Sequence, residues 1–386
     1  MKYRQDKQGN QLSILGLGCM RFPVSKAETE RMILAAIEGG VNFFDTAYLY
    51  PGSEKTLGEI LAKHNKRKDI NIATKLPIVR CKTYEDFDKY FNLQLERLKT
   101  DYIDYYFLHN VTDYNQWVAF QEMGIKEWIA EKMESGQIRQ IGFSYHGIHE
   151  DFIKIIDSYP WQFCMIQYNY YDENYQAGKK GLKAAAAKGM AVIIMEPLLG
   201  GRLATGLPKQ AAEIFKRANS NLTPADWAFW WLWNQEEVTV ALSGMSSTQI
   251  MENNIASANN FRFLTTEELP KYDQVVEIFR KSYKINCTGC NYCLPCPKGI
   301  NIPACLTAYN TSYAQGFITG ITLYATSTAI VRKNPTTPRI CNQCGNCEKH
   351  CPQNIPIRDA LKKVSKRMEP LPLRAGFALV RKIISG

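Results

Sequence analysis

The fold turns on Ile14-Leu15-Gly16-Leu17-Gly18-Cys19. A short apolar run bounded by polar residues reads as a buried strand, and Lys26–Glu38 after it shows apolar residues at helical spacing. A strand–helix opening of this kind leads into either a doubly wound sheet or a closed barrel. The doubly wound sheet would carry G-x-G-x-x-G at the first turn, with the third glycine letting helix and strand pack closely. Gly16-Leu17-Gly18 lacks that third glycine, and no later strand is followed by the motif. Working outward, strands are expected at Ile14–Cys19, Asn42–Asp45, Ile70–Lys75, Ile103–Leu108, Ile138–Phe143, Phe163–Tyr168, Ala191–Met195 and Val238–Leu242. Helical patterns such as Lys26–Glu38, Tyr84–Leu98, Trp117–Met133 and Ala225–Trp233 fall between them. Strand–helix units repeated through roughly 260 residues predict an α/β fold, a (β/α)8 TIM barrel. Met1–Ser13, with Gly9-Asn10 at its centre, reads as a hairpin in front of it.

The chain has 386 residues, so a barrel leaves over a hundred for a second module. The expected division is a barrel over 1–262, a helical linker over 263–284 and a small, mainly helical domain over 285–386. Net charge is +10, and from Arg358 to Gly386 eight Lys/Arg face only Asp359 and Glu369. The rest is near balance, which argues against a nucleic-acid role. The basic tail reads as a solvated helix, or more sharply as a docking surface for an acidic partner or a membrane. No apolar run approaches the roughly 20 residues of a membrane span. The opening MKYRQDKQGN has no apolar signal core, so a cytoplasmic protein is expected.

Eight of the twelve cysteines lie in two clusters. The second, Cys341-x2-Cys344-x2-Cys347-x3-Cys351-Pro352, has the bacterial ferredoxin spacing. The first, Cys287-x2-Cys290-x2-Cys293-x2-Cys296-Pro297, is one residue shorter before its last cysteine. In that spacing the fourth cysteine usually serves the other cluster. Cys287, Cys290, Cys293 and Cys351 are therefore expected to hold one [4Fe-4S] cubane, and Cys341, Cys344, Cys347 and Cys296 the other. Paired CxxC motifs also suit two structural zinc sites. So many thiols in so short a span, each set ending in Cys-Pro, favour the cubanes. Cys19, Cys81, Cys164 and Cys305 are scattered and read as buried small hydrophobes.

On a barrel the chemistry sits where strands end. Asp45 and Tyr50, Lys75, and His109 follow three consecutive strands. Asp45-Thr-Ala-Tyr-Leu-Tyr50, Ala73-Thr-Lys75 and Asp101-Tyr-Ile-Asp-Tyr-Tyr-Phe-Leu-His109 resemble the aldo-keto reductase superfamily, with looser matches at Gly142-Phe-Ser144 and Met195-Glu-Pro-Leu-Leu-Gly200. With its cysteines the chain is similar to the branch of that superfamily fused to a 4Fe-4S ferredoxin-type domain. The resemblance implies an oxidoreductase reducing a carbonyl or oxidising an alcohol, with Tyr50 as general acid/base, Lys75 stabilising its phenolate, Asp45 orienting Lys75 and His109 holding the substrate oxygen. It also implies NAD(P)H contacts at Gly18, Met20, Asp45, Ser144, Gln167, Met195, Pro197, Leu198, Ser243, Gly244, Met245, Ser246, Gln249 and Asn253. Met195 stands where the family stacks a tyrosine under the nicotinamide, and Tyr145 where it has asparagine. Ser243 and Gln249 replace the Lys and Arg that grip the 2′-phosphate, so no NADP preference is expected.

Three functions compete: a carbonyl oxidoreductase exchanging electrons through its clusters, an NAD(P)H-dependent reductase with structural or docking clusters, and a non-catalytic electron carrier or regulatory protein. The intact tetrad disfavours the third. Clusters pass one electron at a time and nicotinamide moves two, so a flavin is the expected converter in the first. A redox partner protein and a small carbonyl or alcohol substrate are the expected partners.

Overall fold

The computed structural model describes residues 1–330 and 335–385; Gly386, the end of the basic tail, lies outside them. Among the described residues ten strands form in chain order: β1 (Tyr3–Gln5), β2 (Gln11–Ser13), β3 (Leu15–Gly18), β4 (Phe43–Asp45), β5 (Asn71–Leu76), β6 (Ile103–Val111), β7 (Ile138–Tyr145), β8 (Phe163–Gln167), β9 (Ala191–Met195) and β10 (Val240–Ser243). β1 and β2 make the expected hairpin, paired Tyr3 to Ser13 and Gln5 to Gln11. β3 to β10 close into a parallel barrel, with β10 returning to β3. All eight barrel strands fall within three residues of their expected bounds.

The barrel interior is filled by every second residue. Phe43, Ala73, Tyr105, Phe107, Phe163, Met165, Ala191, Ile193, Val240 and Leu242 form one buried cluster, joined by Leu12 from the hairpin. Phe107 and Phe163 meet edge to face at 4.6 Å and Phe43 and Tyr105 at 5.2 Å, a favourable geometry for aromatic quadrupoles. The hairpin is tied on by Tyr105, whose hydroxyl donates to Asp6 Oδ2 at 2.6 Å. Asp6 also accepts from the Gln8 and Asn10 amides, which shapes the turn.

The expected helix Trp117–Met133 is two helices, Tyr114–Glu122 and Ile125–Glu134. Gly124 between them has φ +89°, a left-handed residue that breaks the i to i−4 ladder.

The chain divides into two compact units. One comprises Met1–Leu198 and Ala225–Leu264, the other Leu199–Pro224 and Thr265–Gly386. This differs from the contiguous ranges read from the sequence, because Leu199–Pro224 belongs with the cysteine-rich unit. Its contacts there are specific. Arg202 donates to Asn286 Oδ1 at 2.8 Å, Tyr283 donates to the Gly206 carbonyl at 2.6 Å, and a Cβ on Gly200 would fall 2.1 Å from the Thr288 carbonyl. Gly200 has φ +66°, so close approach and backbone conformation both require glycine. The core of this unit gathers Ile300, Ile302, Cys305, Leu306, Ile357, Leu361 and Val364, with six of the clustered cysteines partly buried against it. Its helices include Pro270–Ser282, Ile302–Ala314, Phe317–Thr328, Ile357–Met368 and Leu371–Ser385. Among the described residues, no helix is long and apolar enough to cross a membrane.

Candidate active site

The barrel's period of two sets the active-site layer. Two residues beyond the core residues Phe43, Ala73 and Phe107 come Asp45, Lys75 and His109, on the same inward face but at the carboxyl mouth. Gln167 lies two beyond Met165 and Met195 two beyond Ile193 by the same rule. Gly18 and Ser243 end adjacent strands, close enough that a Cβ on Gly18 would sit 3.4 Å from the Ser243 carbonyl. Ser144 is the last residue but one of β7, just before Tyr145.

Four of these residues gather into one constellation. Lys75 Nζ donates to Asp45 Oδ1 at 2.6 Å and to the Thr46 carbonyl at 2.7 Å. The same nitrogen lies 4.9 Å from the ring centre of Tyr50. Tyr50 stands edge-on to His109, ring centres 6.0 Å apart. Burial pushes the Asp45 carboxyl up and the Lys75 ammonium down, and their mutual attraction opposes both shifts. Burial, reinforced by the nearby Lys75 cation, drives His109 well below the ordinary imidazole range. His109 is thus a neutral imidazole, and its Nδ1 is buried without a hydrogen-bond partner among the described residues.

A polar layer behind the constellation has no clear sequence signal. Glu54, 2% exposed, accepts from Thr74 Oγ1 at 2.7 Å and from Gln94 Nε2 at 2.6 Å, while Gln94 also donates to the Lys75 carbonyl at 3.1 Å. In the sequence Glu54 is simply an acid in a helix's first turn, where the dipole favours it. His146, beyond β7, is a second neutral imidazole, held near 4 by burial.

Several of the residues expected to contact a cofactor are already engaged. Ser144 Oγ accepts from the Asn110 amide at 2.8 Å, Gln167 Nε2 donates to Asp172 at 3.0 Å, and Ser243 Oγ accepts from Asn254 Nδ2 at 3.1 Å. Met20, Met195 and Leu198 are half-buried, Pro197 and Met245 buried, and Gly244, Ser246, Gln249 and Asn253 exposed. Gln249 donates to Asn253 at 3.1 Å on the helix Thr248–Asn260. That helix's first amide, Thr248 N, donates to Glu28 Oε1 at 2.8 Å, and this bond is the largest of those holding Glu28 down to about 2. The chain's own carboxylate therefore occupies one amide of a helix start that favours anions.

In the other unit the cysteines form two cradles. Cys293 feels the charges of Cys287, Cys290 and Cys351, and Cys287 those of Cys290 and Cys351. Cys296, Cys341, Cys344 and Cys347 line a cavity of about 480 Å³ whose wall also includes Cys293. The two loops repeat one winding: Gly289 and Asn291 after Cys287, and Gln343 and Gly345 after Cys341, take positive φ at the second and fourth positions. Successive residues of this kind turn amides inward towards anions, and Gln343 N lies 3.4 Å from Cys341 Sγ. Among the described residues, no three acidic, His or Cys side chains converge on a single metal-ion position. Eight thiols in two groups around such loops fit thiolate-held four-iron cubanes.

Residues 14–277 match the aldo/keto reductase family and residues 286–356 a 4Fe-4S dicluster domain. An uncharacterized oxidoreductase, YqkF, of Bacillus subtilis is 27% identical over 67% of this chain and 90% of its own length. The L-galactose dehydrogenase of Arabidopsis thaliana is 27% identical over 68% of this chain and 88% of its own. The holo form of aldo-keto reductase AKR11C1 from Bacillus halodurans superposes with a TM-score of 0.60 at 24% identity, covering 71% of this chain and 96% of that one. The barrel, its mouth and the family match together establish that this chain belongs to the aldo/keto reductase family and carries a 4Fe-4S dicluster domain at residues 286–356.

Proposed function

We propose that this oxidoreductase interconverts a carbonyl and an alcohol, with Tyr50 as proton donor and acceptor and with electrons exchanged through two [4Fe-4S] clusters. The observation that carries the reading is the Lys75 ammonium, 2.6 Å from Asp45 and 4.9 Å from the Tyr50 ring centre at the barrel mouth. A cation so near a phenol stabilises the phenolate, which eases proton release to a developing alkoxide. Asp45 keeps Lys75 charged and aimed. Neutral His109 offers the substrate oxygen a hydrogen bond without adding a second positive charge beside Lys75. Cys287, Cys290, Cys293 and Cys351 would hold one cubane and Cys341, Cys344, Cys347 and Cys296 the other. The cubanes supply single electrons, and a flavin or nicotinamide at the mouth supplies hydride.

Ser144, Gln167, Met195, Pro197 and Leu198 would border such a ring, and Gly18, Met20, Ser243 to Ser246, Gln249 and Asn253 the rest of a dinucleotide. Glu28 at the Thr248 amide, with the uncharged Gln249 nearby, supports NADH over NADPH: the helix-start amide that a 2′-phosphate would use is already taken by a carboxylate, which is itself paired with Arg31. The test is Tyr50→Phe, assayed for turnover on a panel of aromatic aldehydes and ketones with NADH, and with reduced flavin. The expected loss is about 10²–10⁴-fold in kcat, the usual contribution of a positioned acid. Undiminished turnover would exclude Tyr50 from the proton transfer.

A further inference from the structure

The two cysteine sets differ in how they meet solvent. Cys344 is exposed, while the other seven clustered cysteines are half-buried. Asn342 and Gln343, before Cys344 on its loop, are exposed as well. Beside Cys287, by contrast, Ile285 and Thr288 are buried, 8% and 4% exposed. One-electron transfer falls steeply with distance, so an external carrier gains most by reaching the Cys344 edge.

Exposed cations flank the outer set along the chain and form its basic collar. Lys298, Arg339 and Lys349 each stand two residues from a cysteine of the outer set, namely Cys296, Cys341 and Cys347. All three are exposed, and among the described residues none makes an ion pair. Neighbouring cations are already matched: Arg358 is 2.8 Å from Glu348 and Lys362 is 2.9 Å from Asp359. The collar thus adds three positive charges that no carboxylate among the described residues pairs. Ile340, between Arg339 and Cys341, is 40% exposed and adds apolar surface beside Arg339. Exposed apolar surface beside charges of one sign suits a partner of opposite charge, steered on approach and held by modest burial.

Resting on the reading that both sets hold cubanes, we propose that a small acidic one-electron carrier protein docks on this collar and exchanges electrons at the Cys344 edge. The exchange balances simply: the carrier loses one electron, the chain's outer centre gains one, and no covalent bond or proton changes hands. Running in the other direction, the same contact unloads the chain. The collar recognises negative charge, which an anionic lipid surface also presents. A protein is favoured because the three cations come from three separate segments, beside Cys296, Cys341 and Cys347, rather than lining one apolar helix face, as interfacial binding requires.

The experiment uses the full chain prepared anaerobically with its iron and sulfide, and an acidic flavodoxin as the carrier. Affinity is measured by calorimetry at about 50 mM and about 500 mM salt, since screening discriminates a charged collar from an apolar dock. Reduced methyl viologen, a small cation that needs no collar, reports whether the centres accept electrons at all. We expect flavodoxin to bind and to bleach the clusters, and its affinity to fall at least about tenfold both with salt and in Lys298→Glu/Arg339→Glu/Lys349→Glu. Methyl viologen should bleach wild type and variant alike. Equal flavodoxin affinity in the variant overturns the proposal, as does collar-dependent binding to vesicles of anionic lipid without flavodoxin binding. If the variant loses its iron, the wild-type salt dependence decides, and an affinity indifferent to salt rejects the collar. Clusters that methyl viologen cannot reduce would defeat the underlying reading instead.

Discussion

Asp45→Asn removes one half of a pair whose side chains are only 6% and 1% exposed and leaves Lys75 with the Thr46 carbonyl at 2.7 Å. Breaking a buried ion pair by deleting one partner costs about 3–5 kcal/mol, because the remaining charge is uncompensated. The retained carbonyl bond argues for the lower end, about 3 kcal/mol at pH 7. The cost should also depend on pH in a defined direction. Burial already lowers Lys75, and Asp45 is what opposes that shift, so in the variant the folded state binds fewer protons than the unfolded one. Stability then rises with pH until the unfolded lysine also deprotonates, near 10.4. The gap between wild type and Asp45→Asn should therefore narrow between pH 7 and pH 10. Urea unfolding followed by tryptophan fluorescence measures this, since Trp117, Trp128, Trp227 and Trp233 are buried reporters in the barrel unit. A variant as stable as wild type, or a gap that widens with pH, would refute the assignment of Asp45 as the charge partner of Lys75.

Two further outcomes follow from the same mouth. His109 and His146 are neutral in the fold, His146 near 4, so the unfolded chain takes up more protons and stability should fall between about pH 6.5 and pH 4; His109→Gln/His146→Gln should flatten that slope, and an unchanged slope would remove both from the account. Glu28→Gln withdraws the carboxylate from the Thr248 amide and should raise NADPH affinity relative to NADH by about tenfold, one charge contact at a helix start; fluorescence titration with both nucleotides reads this, and an unmoved ratio would dismiss Glu28 as a selector.

Much of this was legible in the sequence because two signals are strong. Parallel barrel strands are buried on both faces and appear as apolar runs, so all eight were found, and the inward period of two carries Asp45, Lys75 and His109 to the mouth. Cysteine spacing is read directly. What escaped depends on contacts distant in sequence. Arg202 meets Asn286 and Gly200 abuts Thr288, more than eighty residues away, and nothing local marks Leu199–Pro224 as part of the cysteine-rich unit. Glu54 and Gln94 look like ordinary helix residues until folding brings them behind Lys75. Gly124 was visible as a residue but not as a break, since the apolar pattern runs on through it.

The most direct test of the account is the iron and acid-labile sulfide content of the anaerobically prepared chain, measured for wild type, Cys344→Ser and Cys351→Ser with EPR on reduction. The account predicts about eight iron and eight sulfide in wild type, as two four-iron cubanes require. Each variant should lose signal from a different cluster if, as proposed, Cys351 serves the set of Cys287 and Cys344 the set of Cys296. Zinc without sulfide, or the same cluster lost in both variants, would contradict it.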